Sequence, residues 1–291
     1  MTSSPRAASI LIQRMSDYYK KPARRSVDWN YGGTKWKLSR SRIDLFVECA
    51  RCFYLDNKFG VSRPRGPAFT LNIAVDALLK KEFDSYREKS TAHPLMKKYG
   101  IKALPLKHEK MDEWRHNFSG VQCLHKPTGL QISGAVDDIW INPIGEFIVV
   151  DYKTTSKEGR VDSLSDSGWD AQYKRQMEVY QWLLRQNGHK VSNIGYFVYF
   201  NGRKDKESFD CKLEFDASVI SHVGSDKWVE QTLSDIKKCL EGPLPPQNTE
   251  CKFCSYIKAV AEASSTALPS EKREKEISRT QVSKTGTAPL F

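Results

Sequence analysis

The sequence predicts an α/β fold in which a central mixed sheet is flanked by helices, and three observations predict it. Two arms rich in β-branched and aromatic residues, LQISGAVDDIWIN and EFIVVDYKTT, stand either side of a turn at Pro143 and Gly145. Segments of helical periodicity precede and follow them, at Thr70 to Lys89 and at Asp170 to Asn187. Two more strand-like runs, IGYFVYFN and FDCKLEFD, come after the second helix, and strands interleaved with helices are the pattern of a sheet with helical cover.

In chain order, Arg6, Arg14, Lys20, Lys21, Arg24 and Arg25 outweigh Asp17 and Asp28, with little apolar periodicity among them. Residues 1–35 therefore read as a basic flexible arm. Ser39 to Phe59 reads as a helix. Thr70 to Lys89 reads as a second, with Ile73, Ala74, Ala77 and Leu78 at helical spacing and Phe83 and Tyr86 continuing a face past Lys80 and Lys81. The two β arms form a hairpin, and the helix Asp170 to Asn187 stops at Gly188. The later strands turn at GRKDK, and Val219 to Leu240 is a closing helix ended by Gly242, Pro243, Pro245 and Pro246. From Ser265 the chain is polar and nearly free of large apolar side chains. Such a composition does not offset chain entropy, so residues 263–291 read as a disordered tail. The folded domain is expected to span residues 36–262, and no internal repeat is visible.

A chain of 291 residues with 39% hydrophobic content can build a substantial core. It has no apolar run of membrane-spanning length and its N-terminus lacks a secretory build, so a soluble, cytoplasmic protein without a membrane partner is expected. The 46 Lys and Arg against 35 Asp and Glu give a formal charge of +11. That excess attracts phosphate backbones through counterion release, and it also serves solubility. Seven cysteines, an odd number in a reducing compartment, argue against a disulfide framework. Cys49 with Cys52 and Cys251 with Cys254 form two C-x-x-C pairs, while Cys123, Cys211 and Cys239 read as small core residues.

Strand alternation in VVDYKTT sends Asp151 and Lys153 to one face and Val150 and Tyr152 to the other. On the preceding arm Asp137 and Asp138 offer one carboxylate to each face, so one acid reaches toward Asp151 whichever face holds the site. Two carboxylates with a lysine beside them make a hard-oxygen site suited to Mg²⁺ or Mn²⁺. Phosphodiester hydrolysis needs such a site, in which a divalent charge offsets that of the phosphate and lowers the pKa of water while the lysine stabilises developing charge. The plain alternative is a solvated ion pair on a strand. Gln176 and Tyr180, four apart, share a helix face with Tyr173. They lean over the sheet toward Lys153, or they belong to a helix that packs Tyr173, Met177 and Tyr180 into the core.

Taken together, GAVDDIW, then VVDYKTT with thirteen residues between Asp137 and Asp151, then a helix carrying QMEVY, resemble the RecB-like branch of the PD-(D/E)XK nucleases. That branch reads G-x-x-D, a turn, D-Y-K-T, and a helix with Q-x-x-x-Y, matched here by Gly134, Asp137, Asp151, Tyr152, Lys153, Thr154, Gln176 and Tyr180. The resemblance implies a restriction-endonuclease-like core, metal ligation by Asp137, Asp151 and the carbonyl of Tyr152, and Lys153 as the catalytic lysine. It also selects Asp137 over Asp138. The family places a further ligand, often His in A-V-H-x-x-L, on a helix before the strands; this chain has Asp76 at that point, in AVDALL. Asp76 is an oxygen ligand on that reading, or a surface acid paired with Lys80, with Glu82 in reserve.

The cysteine pairs resemble a subgroup, the CRISPR-associated exonucleases and the AddB-type helicase-nucleases, in which flanking cysteines hold an iron-sulfur cluster. ECARCFYLD is similar to their C-P-x-x-F-Y-L element at Cys49 and Phe53, and CKFCSY to their C-terminal group. Those relatives use one N-terminal and three C-terminal cysteines, whereas this chain has two and two. The resemblance implies a [4Fe-4S] cluster on Cys49, Cys52, Cys251 and Cys254; by spacing alone structural Zn²⁺ fits equally. The implied activity is metal-dependent hydrolysis of DNA, from an end or on a single strand. Two alternatives stand beside it: a non-catalytic nucleic-acid-binding module that keeps the fold, and an adaptor that reaches a protein partner through the C-terminal Thr287 to Phe291.

Overall fold

The structure is a computed structural model that describes residues 25–64, 66 and 69–267. Most of the expected arm, residues 1–24, and most of the expected tail, residues 268–291 with the proposed partner-docking end, lie outside the described residues. Two compact units divide between Leu244 and Pro245.

The first unit opens with a 3-10 turn at Val27–Trp29, strand β1 (Leu38–Ser39) and helices α1 (Arg40–Glu48), α2 (Ala50–Phe59), α3 (Thr70–Glu88) and α4 (Pro94–Lys98). Then come β2 (Leu104–Pro105), α5 (Met111–Arg115), β3 (Val121–His125), β4 (Leu130–Gly134), β5 (Asp138–Ile141) and β6 (Phe147–Thr155). Helix α6 (Gly168–Gln186), strands β7 (Ile194–Gly202) and β8 (Phe215–Val223) and helix α7 (Lys227–Glu241) complete it. The second unit contributes helix α8 (Lys252–Ala267), which begins just after Cys251 and runs into what the sequence presents as tail.

The strands form two mixed sheets, one of three strands in the order β1-β4-β3 and one of five in the order β2-β5-β6-β7-β8. At the centre of the larger sheet β6 and β7 run parallel, with Asp151 beside Phe197 and Lys153 beside Tyr199. A strand covered on both faces is apolar nearly throughout, and the alternation of β6 feeds two separate cores. Val149 joins Phe197, Met177, Tyr180 and Leu183 on the α6 side. Ile148, Val150 and Tyr152 join Leu79, Phe83 and Trp140 on the α3 side. Close approach of α6 needs glycine. A Cβ on Gly195 would stand 2.0 Å from the Met177 sulfur, and one on Gly134 would stand 2.7 Å from Tyr180 Cε1.

Four expectations change. The arm LQISGAVDDIWIN is two strands in two different sheets, because the chain leaves β4 after Gly134 and enters β5 only at Asp138. Asp137 thus stands in the crossover, and only β5 pairs with β6 as a hairpin. The expected helix Ser39 to Phe59 breaks at Cys49, whose extended backbone (φ −163°, ψ 104°) starts a second helix. Helix α3 forms as expected but buries Leu79, Phe83 and Arg87, while Ile73 and Leu78 are each 64% exposed. The strand expected at FDCKLEFD starts only at Phe215 and continues to Val223, through residues read as the start of the closing helix. Asp210 and Cys211 occupy left-handed backbone (φ 42° and 55°), which ends any strand there, whereas all nine residues of β8 pair with β7.

On the α3 face Asp138 is fully buried and saturated. It accepts from Tyr152 Oη at 2.7 Å, from Arg115 Nη2 at 3.0 Å and from the Ile139 amide at 2.8 Å, and it is ion-paired with Arg87. Arg87 and Arg115 are both nearly buried and also share Asp84. Removing one member of a buried ion cluster strands its partners without solvent and costs about 3–5 kcal/mol. Asp138→Ala should therefore lower unfolding stability by about that amount, read from the midpoint of urea denaturation. An unchanged midpoint would show the cluster to be energetically idle.

Candidate active site and cysteine centre

Asp151 lies midway along β6 in a position that strand alternation directs at α6, where its neighbours in sequence and across the sheet are apolar. Its side chain is fully buried. Gln176 Nε2 donates to Asp151 Oδ1 at 2.8 Å, and the Lys153 ammonium sits against Oδ2 as an ion pair. The same Gln176 donates to Tyr180 Oη at 3.2 Å and accepts from Lys153 Nζ at 3.5 Å. Lys153 Nζ also lies 4.4 Å from the centre of the Tyr173 ring, a cation over an aromatic face. Helix α6 thus presents Tyr173, Gln176 and Tyr180 to the β6 charges at i, i+3 and i+7, and Gln176 is buried beneath them.

Burial pushes the Asp151 carboxyl up to about 7 against the pull of the Lys153 ammonium, and the nearby Asp137 carboxylate adds to the rise. Burial works against the Lys153 ammonium, but Asp151 and Asp137 outweigh it and hold its pKa above the ordinary lysine value. Burial also raises Tyr180, which therefore stays a neutral phenol. The Asp137 carboxylate lies close enough to act on Asp151, and a further cation placed by the two would relieve that repulsion.

Asp137 stands in the crossover between the sheets, where its Oδ2 accepts the Tyr152 amide at 3.0 Å. Its carbonyl accepts from Arg115 Nε at 3.0 Å, so the cluster around Asp138 also fixes the backbone of Asp137. Adjacent acids thus have opposite fates. Asp138 is locked on the α3 face, and Asp137 stays a quarter exposed on the side of Asp151. Asp76 on α3 pairs with Lys80 at 2.8 Å, and Lys80 in turn reaches Asp137 at 3.5 Å. Lys80 therefore links Asp76 to Asp137. Tyr152 turns its phenol to Asp138, which leaves its backbone next to Asp137 and Asp151.

Arg40, the first residue of α1, is a member of this centre that sequence reasoning missed. Its guanidinium is drawn to Tyr180, Asp151 and Asp44, which together raise its pKa against the effect of burial. Its signal, the run Ser39-Arg40-Ser41-Arg42, is an ordinary basic stretch until the fold carries α1 against α6.

For a divalent metal the donor chemistry fits. Asp151 Oδ2 is buried and makes no hydrogen bond among the described residues, having only the Lys153 ammonium beside it. Asp137 supplies a second, partly exposed carboxylate. A separate metal-binding chemistry is present in Cys49, Cys52, Cys251 and Cys254, all buried, whose sulfur atoms lie within 4.8 Å of one another. Four thiolates so gathered can hold an ion or a cluster. Cys49 Sγ also accepts the Cys52 amide at 3.5 Å, capping the start of α2.

The family profile of the PD-(D/E)XK nuclease superfamily matches residues 37–259. The chain belongs to the PD-(D/E)XK nuclease superfamily. Membership in the PD-(D/E)XK superfamily carries nuclease chemistry with divalent metal ions and a nucleic-acid substrate. No curated protein matches the chain. Among solved structures, the crystal structure of SSO0001 aligns over 88% of this PD-(D/E)XK chain and 95% of its own length, at 14% identity and a TM-score of 0.35, a likeness too distant to carry an argument. Among the described residues no helix is long and apolar enough to cross a membrane.

The tight seat of Tyr180 on Gly134 yields a test. Gly134→Ala places a methyl 2.7 Å from Tyr180 Cε1 and 3.0 Å from Leu183 Cδ1. Overpacking of that kind costs about 1–3 kcal/mol. The variant should melt earlier and shift the Tyr180 ring resonances, and parental melting with unmoved resonances would deny the contact.

Proposed function

We propose that the protein is a metal-dependent DNA nuclease of the RecB-like branch, working in a reducing cytoplasm and cutting from an end or on a single strand. The observation that carries the reading is the buried Asp151–Lys153 pair braced by Gln176 beside the partly exposed Asp137. Asp137, Asp151 and the Tyr152 carbonyl would hold Mg²⁺ or Mn²⁺, with Asp76 reaching the same group through its link to Lys80. When bound, the metal supplies charge that offsets the phosphate and favours ionised water.

The chain's own residues do the rest. Lys153, kept protonated by two carboxylates, places a fixed positive charge where the attacked phosphate gains negative charge. Gln176 fixes both members of the pair through its amide, donating to Asp151 and accepting from Lys153, so neither swings out of place when substrate enters. Tyr180 and Arg40 hold Gln176 and Asp151 from behind. Lys153→Ala and Asp151→Asn should each lower metal-dependent cleavage at least about 10²-fold, the range for loss of one preorganised charge, while most DNA affinity persists. Parental cleavage by folded Lys153→Ala would refute this active site. Asp76→Ala should give a smaller loss or one that differs between Mg²⁺ and Mn²⁺; parental activity in both would make Asp76 a surface acid.

We further propose that Cys49, Cys52, Cys251 and Cys254 ligate a [4Fe-4S] cluster, on the strength of their gathered sulfurs and the likeness to cluster-bearing exonucleases. Anaerobically purified protein should be brown, absorb near ~400 nm and contain iron and sulfide. Colourless protein with one zinc would refute the cluster and keep the ligands. Cys251→Ser with unchanged metal content would exclude both.

A further inference from the structure

Outside the catalytic centre, a groove of about 730 Å³ opens beside the start of α1. Its cations are Arg25, Lys35, Lys37 and Arg42, with Arg63 held by Glu48 at 2.6 Å, and its one acid is Asp56. Asp56 is already spent: Arg25 Nη1 lies 3.3 Å and Arg42 Nε 3.8 Å from Oδ1, and the Ser62 hydroxyl donates to Oδ2 at 2.5 Å. Lys37 Nζ donates to the neutral Gln122 at 2.9 Å, and Lys35 lies 5.8 Å from the Trp29 ring centre. Among the described residues neither lysine has a carboxylate partner. Positive charge in this groove is therefore in excess of negative; at Arg42 burial, and after it the neighbouring Arg25, lower the pKa to about 10 against the pull of Asp56.

Two large rings stand exposed in part in the same groove. Trp29 is 39% and Phe118 is 75% exposed. Unbalanced cations with exposed rings between them match the two parts of a single-stranded polynucleotide, its phosphates and the π-faces of its bases. A duplex offers the phosphates but keeps its bases stacked on each other, and an acidic protein surface lacks the flat faces. The floor of the groove adjoins the catalytic centre. Ser39 and Ser133 both line it and pair in register across β1 and β4, and the residue after each in the chain, Arg40 at the start of α1 or Gly134 at the end of β4, touches Tyr180.

We infer that this groove is the track of a single DNA strand, with phosphates on Arg25, Lys35, Lys37 and Arg42 and bases stacked on Trp29 and Phe118, leading to the Asp137 and Asp151 carboxylates. The inference rests on the nuclease reading above and deepens it by naming the substrate form and its path. The groove is separable from the chemistry, because none of these six residues touches Asp151 or Lys153.

The test is fluorescence anisotropy with the full-length protein and no added divalent metal. Three probes of equal length are used: oligothymidylate, the same backbone with abasic sites, and a blunt duplex. The parent should bind oligothymidylate at least about 10-fold tighter than the abasic strand, the value of about one stacked base, and tighter than the duplex. Phe118→Ala should erase most of that preference and Phe118→Trp should restore it; Phe118 is exposed enough for both to fold. Lys37→Ala should weaken all probes and lessen the salt slope by about 0.7, one phosphate contact on a single strand. Parental preference in Phe118→Ala with a parental salt slope in Lys37→Ala would overturn the track, as would equal binding of duplex and single strand. Cleavage with Mg²⁺ or Mn²⁺ is scored apart. A parent that binds as described but never cleaves refutes the nuclease and leaves the groove standing, whereas a parent that cleaves with groove variants unchanged refutes the groove alone.

Discussion

The structure depends on keeping a carboxylate and an ammonium buried together in the middle of an apolar sheet. Taking Asp151 and Lys153 out of water costs several kcal/mol each, and their attraction recovers this only when the remaining donors and acceptors are supplied. Gln176, Tyr180 and Arg40 supply them, which demands that α6 and the start of α1 press against β6. That demand explains the glycines. Gly134 and Gly195 are bare where the side chains of Tyr180 and Met177 must pass, so the approach distance of α6 is set by the site it serves. Full burial also leaves Asp151 high in pKa, a state a hydrophobic residue of similar size would avoid. On the proposed function, such a group is held in place for chemistry rather than for stability.

The opposite face solves the complementary problem of holding Asp137 still without burying it. Asp137 follows the last residue of β4 by three positions and precedes β5, in a crossover with no ladder of its own. Its order is borrowed. The Asp138 cluster ties α3, α5 and β6 to the first residue of β5, and Arg115 from that cluster grips the Asp137 carbonyl. One arginine thus transmits the rigidity of a saturated ion cluster to a carboxylate one residue away that stays partly exposed. Two adjacent aspartates, equal in the sequence, divide into a structural and an available one because alternation sends them to different faces.

How far the sequence is legible follows from how local each feature is. The side-by-side placement of Asp151 and Lys153 is a property of any strand and is readable from VVDYKTT, as is the i, i+4 stacking of Gln176 and Tyr180 on α6. The break between β4 and β5 is not readable, because both halves are apolar and alternating and only their partners, β3 and β1 against β2 and β6, distinguish them. The same cause misplaces β8. Residues 219–223 carry the apolar content of a helix or a strand, and pairing with β7 decides for strand. On α3 the exposed Ile73 and Leu78 mimic a core face, while the true one runs through Leu79, Phe83 and the paired Arg87, a charged residue that periodicity discounts. Arg40 and Lys80 stay unrecognised as members of the site for a further reason: each is common on helix surfaces, and only tertiary placement brings it to a carboxylate.

The start of α1 is where these constraints meet the surface. Along Ser39-Arg40-Ser41-Arg42, Arg40 is turned to the buried charges, and Ser39, Ser41 and Arg42 line the basic groove. Arg42 is held there by the Lys37 carbonyl at 2.5 Å and the distant edge of Asp56, with Arg25 as a like-charged neighbour. Both guanidiniums share the one carboxylate of Asp56, so positive charge beyond it remains at this point, which a phosphate would offset. The interior and the groove thus share one logic, charged side chains held rigid by the fold beside a place for a ligand of opposite sign. At Asp151 and Asp137 two carboxylates act on each other and suit a metal ion; in the groove the cations outnumber the Asp56 carboxylate and suit a phosphate. On the proposed reading, placing the two at neighbouring residues of one helix start suits a ligand that brings a phosphate for the groove and, with its metal, a cation for the carboxylates, as a nucleic-acid strand entering a metal-dependent site would.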